Sequence, residues 1–565
     1  MKDFIPEFFI GLKKYNFKMF LNDMAAGIIV AIVALPLSIA LGIASGVTPE
    51  VGLITAVIGC FIVAILGGSK FQIAGPTGAF IVIVYSIIEQ HGMFGLTIAT
   101  IMAGIMLVII GFLKGGEIIK FIPYPVVAGF TSGIAVTIFS SQIKDILGLD
   151  VEKIPAQFME QILCYIQNIQ TLNLYAILIT IASIFIIILW SKIPKIGKLI
   201  PSMLVSVIVL TLLVQFFTLP AETIGSRFGS LDLKITFVNI DGISFELIKS
   251  LIPASITIAV LAGIESLLSA VVADGMTNDR HNSNTELVGQ GFANIASAAI
   301  GGIPVIGAIA RTATNIKNGA KSPVSAIISS IALFSMVMIL LNFVNLIPMA
   351  SLGAILLIIS YNMGEWEYFK QIKKAPKSDY FVFIATFLLT VFFDLIIGIS
   401  VGMIFALIIF MKRMSDLTNF EMITKDLKHA DGKILEIPNG VLVYNINGPF
   451  FFGAAEKFSN MLLDIVKPKS KIIIINLENV PLIDATGCRG LKIFYNNCKK
   501  NELNIYFCGI RNKVYKILKN YGFIDEIQKE NIFKDLKTNI DYLKDFEPKE
   551  LYLNKKVDSL TRDSK

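Results

Sequence analysis

The sequence predicts a polytopic α-helical membrane protein that carries a smaller α/β domain after its last membrane segment. Of its 565 residues, 55% are hydrophobic and 16% are charged, and the mean hydropathy is +0.72. A soluble chain is about 25% charged, so most of this chain needs lipid as its solvent. The composition changes near Met411-Lys412-Arg413, after which charged residues return at soluble frequencies.

Hydrophobic segments follow one another through the first part of the chain. About fourteen can be placed, and several are shorter than the ~20 residues that cross a bilayer. Gly/Pro-rich sequence precedes 75–90 and 307–318, which predicts a half-helix after extended chain in each. The segments are 24–44, 51–67, 75–90, 95–113, 124–143, 173–191, 199–217, 248–272, 286–301, 307–318, 324–344, 350–364, 379–394 and 396–412.

The predicted domain boundaries follow this pattern. Residues 1–22 mix Phe with Lys and acids around no long apolar core, which indicates an amphipathic segment on the cytoplasmic membrane surface rather than a signal peptide. A membrane domain at 23–413, a linker at 414–438, an α/β domain at 439–546 and a disordered, charged tail at 547–565 follow.

Lysine in the short loops predicts the orientation. With the N-terminus inside, these loops are basic, whereas the longer loops 144–172 and 218–247 are roughly balanced in charge. Both termini are therefore expected to be cytoplasmic. The lysines are Lys114, Lys120, Lys192, Lys195, Lys198, Lys317, Lys321, Lys370, Lys373, Lys374 and Lys377.

Several classes of function are disfavoured. Five Cys without paired spacing and three His predict neither a disulfide framework nor a metal site. The net charge of +7 is explained by basic loops, so no nucleic-acid partner is expected. No arrangement of a nucleophile and a base is present, so we expect no enzyme and no bound cofactor.

The two halves of the membrane domain show a faint repeat. An offset of 229 residues pairs Gly46 with Gly275, and Gly78-Ala79 with Gly307-Ala308. This register superposes segment one on segment eight and segment three on segment ten. An odd number of segments in each half makes the repeats inverted in topology.

The two broken segments predict an anion site. Short helices that begin near the midplane present free N–H groups and positive dipole ends, and unwound backbone there must line a protein cavity. The alternative is that both are kinks that allow tight helix packing. The predicted donors are the amides of Gly78, Ala79, Phe80, Gly307, Ala308 and Ile309, with the Thr77 hydroxyl.

Two charged residues inside the membrane carry the remaining site hypotheses. Glu265 lies within a hydrophobic helix, with Ser269 one turn later on the same face, which indicates binding of H+ or Na+. A neutral structural acid is the alternative. Arg311 follows a helix start, where it would attract the substrate, pair with Glu265 or extend to water.

The polar stretch between segments eight and nine is interpreted as a hydrogen-bonded loop. It contains Asp274, Asp279, Arg280 and Glu286, and either Ser283 or Thr285 is expected to be the N-cap of the next helix. Asp394 is expected to lie in a turn between the last two segments.

The residues from Ile264 to Ile327, which include GGIPVIGAIARTATN, resemble the bacterial SulP (sulfate permease) anion transporters, as do QIAGPTGAF and AGIIVAIVALPLSIALGIASG. The resemblance covers essentially the whole chain. It implies a seven-plus-seven inverted repeat, a core domain moving against a gate domain, a homodimer in the inner membrane, and transport of sulfate, bicarbonate or C4-dicarboxylates. It also implies a site at Thr77, Gly78, Ala79, Glu265, Ser269, Gly307, Ala308 and Arg311. Val305 and Ile306 replace the Ala-Thr of many relatives, which leaves the substrate open.

The C-terminal residues alternate strands with helices. VLVYNING, KIIIINLENV and LNIYFCGI are predicted strands, and a helix follows Asp484. This domain resembles a STAS domain, in which a phosphorylatable Ser follows the motif Asp. Ala485 stands there, so that switch is absent and Thr486 is a weak substitute. Binding of a cytoplasmic regulatory protein and a purely structural role both stay open.

The leading functional hypothesis is an H+- or Na+-coupled anion symporter. An uncoupled anion channel or exchanger is one alternative. A membrane sensor that binds an anion and signals through the STAS domain is another.

Overall fold

The computed structural model describes most of the chain. Asp394, Lys120, Lys195, Lys198 and the predicted tail 547–565 lie outside the described residues. The described residues are 4–13, 15–117, 123–151, 154–155, 157–193, 200–229, 244–393, 395–423, 427–428, 434–438, 440–451, 453, 458 and 472–544.

The chain forms two compact units, Met1–Ala406 and Leu407–Lys565. Among the described residues, the first is helical apart from one two-stranded ladder, β1 (Ala74–Gly75) with β2 (Ile306–Gly307). Its helices are α1 (Glu7–Leu12), α2 (Phe17–Ala44), α3 (Pro49–Leu66), α4 (Ile81–Phe112), α5 (Tyr124–Ser141), α6 (Ile143–Leu147), α7 (Phe158–Gln167), α8 (Leu174–Lys192), α9 (Ser202–Phe216), α10 (Ile224–Phe228), α11 (Phe245–Thr277), α12 (Ser283–Ala299), α13 (Ile309–Lys317), α14 (Val324–Val344), α15 (Met349–Met363), α16 (Tyr368–Gln371) and α17 (Lys377–Phe392). Helix α18 (Leu395–Asp416) begins in the first unit and ends in the second.

Among the described residues, seven helices are long and apolar enough to cross a membrane. Shorter apolar helices at Ser202–Phe216 and Val324–Leu340 accompany them. The predicted segment 75–90 from Ile81 onward and the segment 95–113 up to Phe112 belong to α4, which bends at Gly92, where φ is +68°. Segment one is longer than predicted, because Asn16 caps α2 and the helix starts at Phe17.

Glycine pairs bring the helices of the first unit together. Helix α4 packs on α12, and a Cβ atom added to Gly104 would lie 2.7 Å from the carbonyl oxygen of Gly291. The reverse approach is 2.6 Å. Small residues are favoured at such contacts because helices in lipid associate by close packing rather than by hydrophobic burial.

The second unit has a five-stranded sheet of order β3-β6-β7-β8-β9, in which only the β3–β6 pair is antiparallel. The three predicted strands and the helix after Asp484 are present. Part of the predicted linker is wrong, because β3 pairs with β6 along its whole length. The elements are β3 (Asn419–Ile423), β4 (Leu427–Lys428), β5 (Ile434–Leu435), β6 (Val441–Asn447), β7 (Ile472–Asn476), α19 (Ala485–Lys500), β8 (Asn504–Cys508), α20 (Asn512–Asn520), α21 (Phe523–Glu526) and β9 (Ile532–Phe533).

The helix α19 covers this sheet through a buried apolar face. Asp484 is its N-cap and accepts a hydrogen bond from the Gly487 amide at 2.7 Å. Burial and the nearby Asp484 carboxylate raise the pKa of the Cys488 thiol to about 11, and burial raises the pKa of Cys498 to about 12. Both thiols are therefore protonated at neutral pH and act as core side chains.

We predict that Gly291→Ala destabilises the membrane unit, because its methyl group would meet Gly104 at the α4–α12 contact. The free energy of unfolding should fall by about 1–3 kcal/mol. This loss is measured as a lower thermal midpoint of the purified protein in detergent. Gly275→Ala is the matched control, since Gly275 lies in α11 with nothing within 4 Å of an added Cβ. An equal loss of stability in both variants would contradict this account.

Candidate functional site

The two broken segments cross each other as a short antiparallel ladder. Ala74 pairs with Gly307, Gly75 pairs with Ile306, and the Ala308 amide donates to the Ile73 carbonyl oxygen at 2.8 Å. A helix begins soon after each strand, at a 3₁₀ turn starting with Gly78 and at Ile309. Two helix N-termini therefore lie close to one crossing, which is the arrangement that the sequence predicted.

The predicted register of the repeat stays a prediction. It pairs Gly78 with Gly307, and these residues differ in local structure, because Gly78 begins a 3₁₀ turn whereas Gly307 lies in a strand.

Asn294 holds the unwound chain that precedes α13. Its side-chain oxygen accepts from the Val305 amide at 2.9 Å, and its side-chain nitrogen donates to the Val305 carbonyl oxygen at 2.8 Å. Asn294 is fully buried. One side chain thus satisfies both polar groups of a residue that neither helix nor sheet pairs.

Neighbouring hydroxyl groups satisfy the rest of this stretch. The Ile303 amide donates to Thr55 Oγ1 at 2.9 Å, and the Ile303 carbonyl oxygen accepts from Ser297 Oγ at 2.7 Å. The Gly307 amide donates to Ser266 Oγ at 3.0 Å. The sequence analysis did not single out these residues, because only the folded chain shows which hydroxyl groups face the break.

The six predicted amide donors divide into two groups. Gly307, Ala308 and Phe80 are already used, the last in a 3.3 Å bond to the Thr77 carbonyl oxygen. Within the described part of the chain, the amides of Gly78, Ala79 and Ile309 have no protein acceptor. These three are the donors that remain for a ligand.

Thr77 lies directly before these free amides. Its side chain makes no capping bond to the following turn, and its Oγ1 is buried without a hydrogen-bond partner among the described residues. A buried hydroxyl without a partner is costly. The Thr77 hydroxyl is therefore available to a ligand, and its role in the site stays a prediction.

Arg311 lies between the two broken segments and is 2% exposed. Its Nη2 donates to the Pro76 carbonyl oxygen, and its Nη1 is 2.8 Å from the position of a Cβ atom on Gly75. The Nε has no partner in the described structure. Of the alternatives considered for Arg311, the ion pair with Glu265 and the extension to water are not seen.

Glu265 and Ser269 lie one turn apart on α11. Ser269 is fully buried and donates to Thr312 Oγ1 at 3.2 Å, and Thr312 accepts from the Ile73 amide at 3.0 Å. The Ser269 proton is thus committed to the network that supports the crossing. Glu265 forms no hydrogen bond or ion pair within the described residues, so a role in cation binding stays a prediction.

Gln72 is a candidate site residue that sequence reasoning missed. It is 3% exposed, its Nε2 donates to the Ser266 carbonyl oxygen at 3.0 Å, and it lies directly against Gly307. Its Oε1 is buried without a partner in the described structure. Gln72 therefore ties the helix that carries Glu265 to the crossing.

Buried carboxylates support both broken segments from outside the crossing. Glu286 accepts from the amides of Gly68 and Ser69 at 2.9 and 3.1 Å, just before segment three. Asp23 accepts from the Ser322 hydroxyl at 2.6 Å, just after segment ten. These are structural roles.

Two further expectations change. The N-cap of α12 is Asn282, whose side chain accepts from the Asn284 and Thr285 amides, rather than Ser283 or Thr285. Asn282 lies one residue before Ser283, and its side-chain oxygen reaches the free N–H groups of the first helical turn. Val305, expected near the site, packs against Gly59, because its backbone is fixed by Asn294 with the side chain toward α3.

The first unit also contains a cavity of about 630 Å³. Ile81 and Tyr85 of α4 line one side, and Thr137 and Ser141 of α5 line another. None of the predicted site residues lines it. Among the residues that line the cavity, Ile81 is the closest in sequence to the predicted site residues, and it follows the 3₁₀ turn.

Comparisons with known proteins agree with this architecture. Residues 20–386 match the sulfate permease family, and residues 433–539 match the STAS domain. The chain belongs to the sulfate permease family. Its members are multi-pass membrane transporters rather than enzymes, which confirms the predicted class.

The relatives cover nearly the whole chain. The Bacillus subtilis protein named "Putative sulfate transporter YvdB" is 40% identical over 523 residues, which is 92% of this chain and 97% of that protein. The bicarbonate transporter BicA of Picosynechococcus sp. is 29% identical over 524 residues, 88% of this chain and 90% of BicA.

Solved structures share the fold. The murine Slc26a9 anion transporter in the inward-facing state superposes with a TM-score of 0.83 at 16% identity, covering 94% of this chain and 93% of that one. The transmembrane domain of a cyanobacterial BicA gives 0.62 at 26% identity, covering 70% and 98%. The predicted fold class is confirmed.

We predict that Asn294→Ala destabilises the protein, because it leaves the Val305 amide and carbonyl groups unpaired in a buried site. The free energy of unfolding should fall by about 2–5 kcal/mol, measured as a lower thermal midpoint in detergent. Asn318→Ala is the control, since its side chain bonds only to Thr314 of its own helix. A loss no larger than that of the control would contradict the assigned role.

Proposed function

We propose that this protein is a secondary active transporter of small anions that works by alternating access. The observation that carries the proposal is the crossing of β1 and β2, where free amides of two helix starts and a buried guanidinium lie together. Amides and positive dipole ends bind anions without regard to their exact chemistry. Sulfate, bicarbonate and C4-dicarboxylates are the candidate substrates, and the names of the relatives support the first two.

Within this proposal, Thr77, Gly78, Ala79 and Ile309 bind the substrate, and Arg311 supplies positive charge behind it. Arg311 is held against the Pro76 carbonyl oxygen, so its charge reinforces the start of segment three. Among the predicted donors Phe80, Gly307 and Ala308, each amide is used within the protein, so these residues shape the site rather than donate to the anion.

Coupling to H+ or Na+ is the second part of the proposal, and Glu265 is the residue that binds the coupling ion. A carboxyl group inside a membrane helix, without a partner in the described residues, is expensive unless it binds a proton or a cation. Ser269 supports Glu265 indirectly, because it fixes the neighbouring helix turn to Thr312.

The remaining assignments concern the cell and the assembly. We propose a homodimer in the bacterial inner membrane, with both termini in the cytoplasm, because the short basic loops favour that orientation. The STAS domain is proposed to bind a cytoplasmic regulatory protein.

The test is uptake of labelled sulfate, bicarbonate and succinate into proteoliposomes of the purified protein, with and without an inward H+ or Na+ gradient. Uptake of one anion that a gradient drives would support the symporter and name its substrate. Uptake that no gradient accelerates would favour an uncoupled channel or exchanger. Binding without uptake would favour a sensor and overturn the proposal.

We predict that Glu265→Gln keeps anion binding but loses at least about tenfold of the gradient-driven uptake, because the amide cannot exchange a proton or neutralise a cation. Initial uptake rates with and without the gradient measure this. Glu246→Gln is the matched control, since Glu246 is exposed in the first turn of the same helix. Full gradient-driven uptake by Glu265→Gln would refute its coupling role.

A further inference from the structure

Two apolar side chains stand directly against the free helix start of segment three. The position of a Cβ atom on Gly78 is 2.9 Å from Met363 Sδ and 3.0 Å from Ile138 Cδ1. Ile138 is fully buried on α5, and Met363 is the last residue of α15. Both come from helices outside the crossing, and both pack against the residue whose amide has no protein acceptor among the described residues.

We infer that Ile138 and Met363, here called the wall, determine which anions the site accepts, because they pack against the helix start that carries the free amides. This inference rests on the proposed anion-transport function and deepens it. The amides of Gly78 and Ala79 attract any anion, so they cannot discriminate. Discrimination therefore depends on the side that offers no hydrogen-bond donor.

The chemistry of the wall gives the direction of selection. An anion held on the Gly78 amide lies next to Ile138 and Met363, which cannot replace the water that the anion loses. A large anion that carries charge on its far side loses more hydration there than a small monoanion. The wall thus disfavours sulfate and C4-dicarboxylates relative to bicarbonate.

The wall and the helix start are also close in sequence to residues that line the cavity. Ile81 and Thr137 line that cavity, and they are close in sequence to Gly78 and adjacent to Ile138, respectively. Shortening either wall residue would enlarge the space beside the helix start on the side of the cavity. The enlarged space would admit a larger, partly hydrated anion.

The experiment compares inhibition of labelled-anion uptake by bicarbonate, sulfate and succinate in proteoliposomes. The variants are Ile138→Ala and Met363→Ala. Ile134→Ala and Met349→Ala are controls, because these residues are buried on the same two helices and are not among the nearest neighbours of Gly78. Ile138→Val, which removes one methyl group, replaces Ile138→Ala if that variant does not fold.

The expected result is a change in the inhibition constants of the larger anions relative to that of bicarbonate. The inhibition constants of sulfate and succinate should fall about tenfold relative to that of bicarbonate, since one or two methylene groups in a pocket alter discrimination by roughly 10–200-fold. The controls should keep the wild-type ratios. Equal changes for all three anions in the wall variants would overturn the inference while leaving the proposed function intact. Absence of uptake by the wild-type protein would overturn both.

A second measurement tests the contact itself. Gly78→Ala should abolish uptake, because its methyl group meets both wall residues. Adding Met363→Ala removes the shorter approach and should restore at least part of the uptake. Failure of the double variant to recover, in protein with a wild-type thermal midpoint, would overturn the assigned wall.

Discussion

The structure depends on one constraint, which is that unwound backbone inside a membrane must find hydrogen-bond partners. A single unpaired peptide group there costs several kcal/mol. Asn294 meets this need for Val305 through both ends of its amide, and the crossing meets it for Ala308 through the Ile73 carbonyl oxygen. The amides left without partners are then those at the helix starts, where a ligand can take their place.

The partners that satisfy this constraint come from several helices at once. Thr55 lies on α3, Ser266 on α11 and Asn294 on α12, and all three bind the same five-residue stretch, 303–307. Glu286 and Asp23 extend the same principle to the adjoining loops. These helices and the crossing are therefore linked by polar contacts as well as by packing. These contacts would keep the site intact during the movement of helices that the proposed alternating access requires.

Sequence alone could predict where the helices break, because Gly and Pro act locally. The breaks near Gly78 and Ile309 are predictable for that reason. Arg311 is predictable as a site residue because it is a charge next to one of these breaks. Which amides stay free could not be predicted. The partner of the Gly307 amide is Ser266, which lies 41 residues away, so only the folded chain shows that this donor is used.

The same distinction explains the errors at the soluble domain and at the loop before α12. Strand β3 is short and mostly exposed, so its pattern does not differ from that of a linker until β6 pairs with it. Asn282, Ser283 and Thr285 are all good caps by residue type. Only backbone geometry selects among them, and Asn282 is the one with extended φ and ψ angles.

A site built from backbone donors separates attraction from selection. The amides of Gly78, Ala79 and Ile309 are present whatever the side chains are, so the family can retain its crossing while its substrates differ. Arg311 adds charge but is fixed to a carbonyl group, which leaves it little freedom to distinguish one anion from another. Side chains on helices that face the crossing are the remaining means of selection. In this protein those that touch the free helix start are an isoleucine and a methionine, and neither can donate a hydrogen bond.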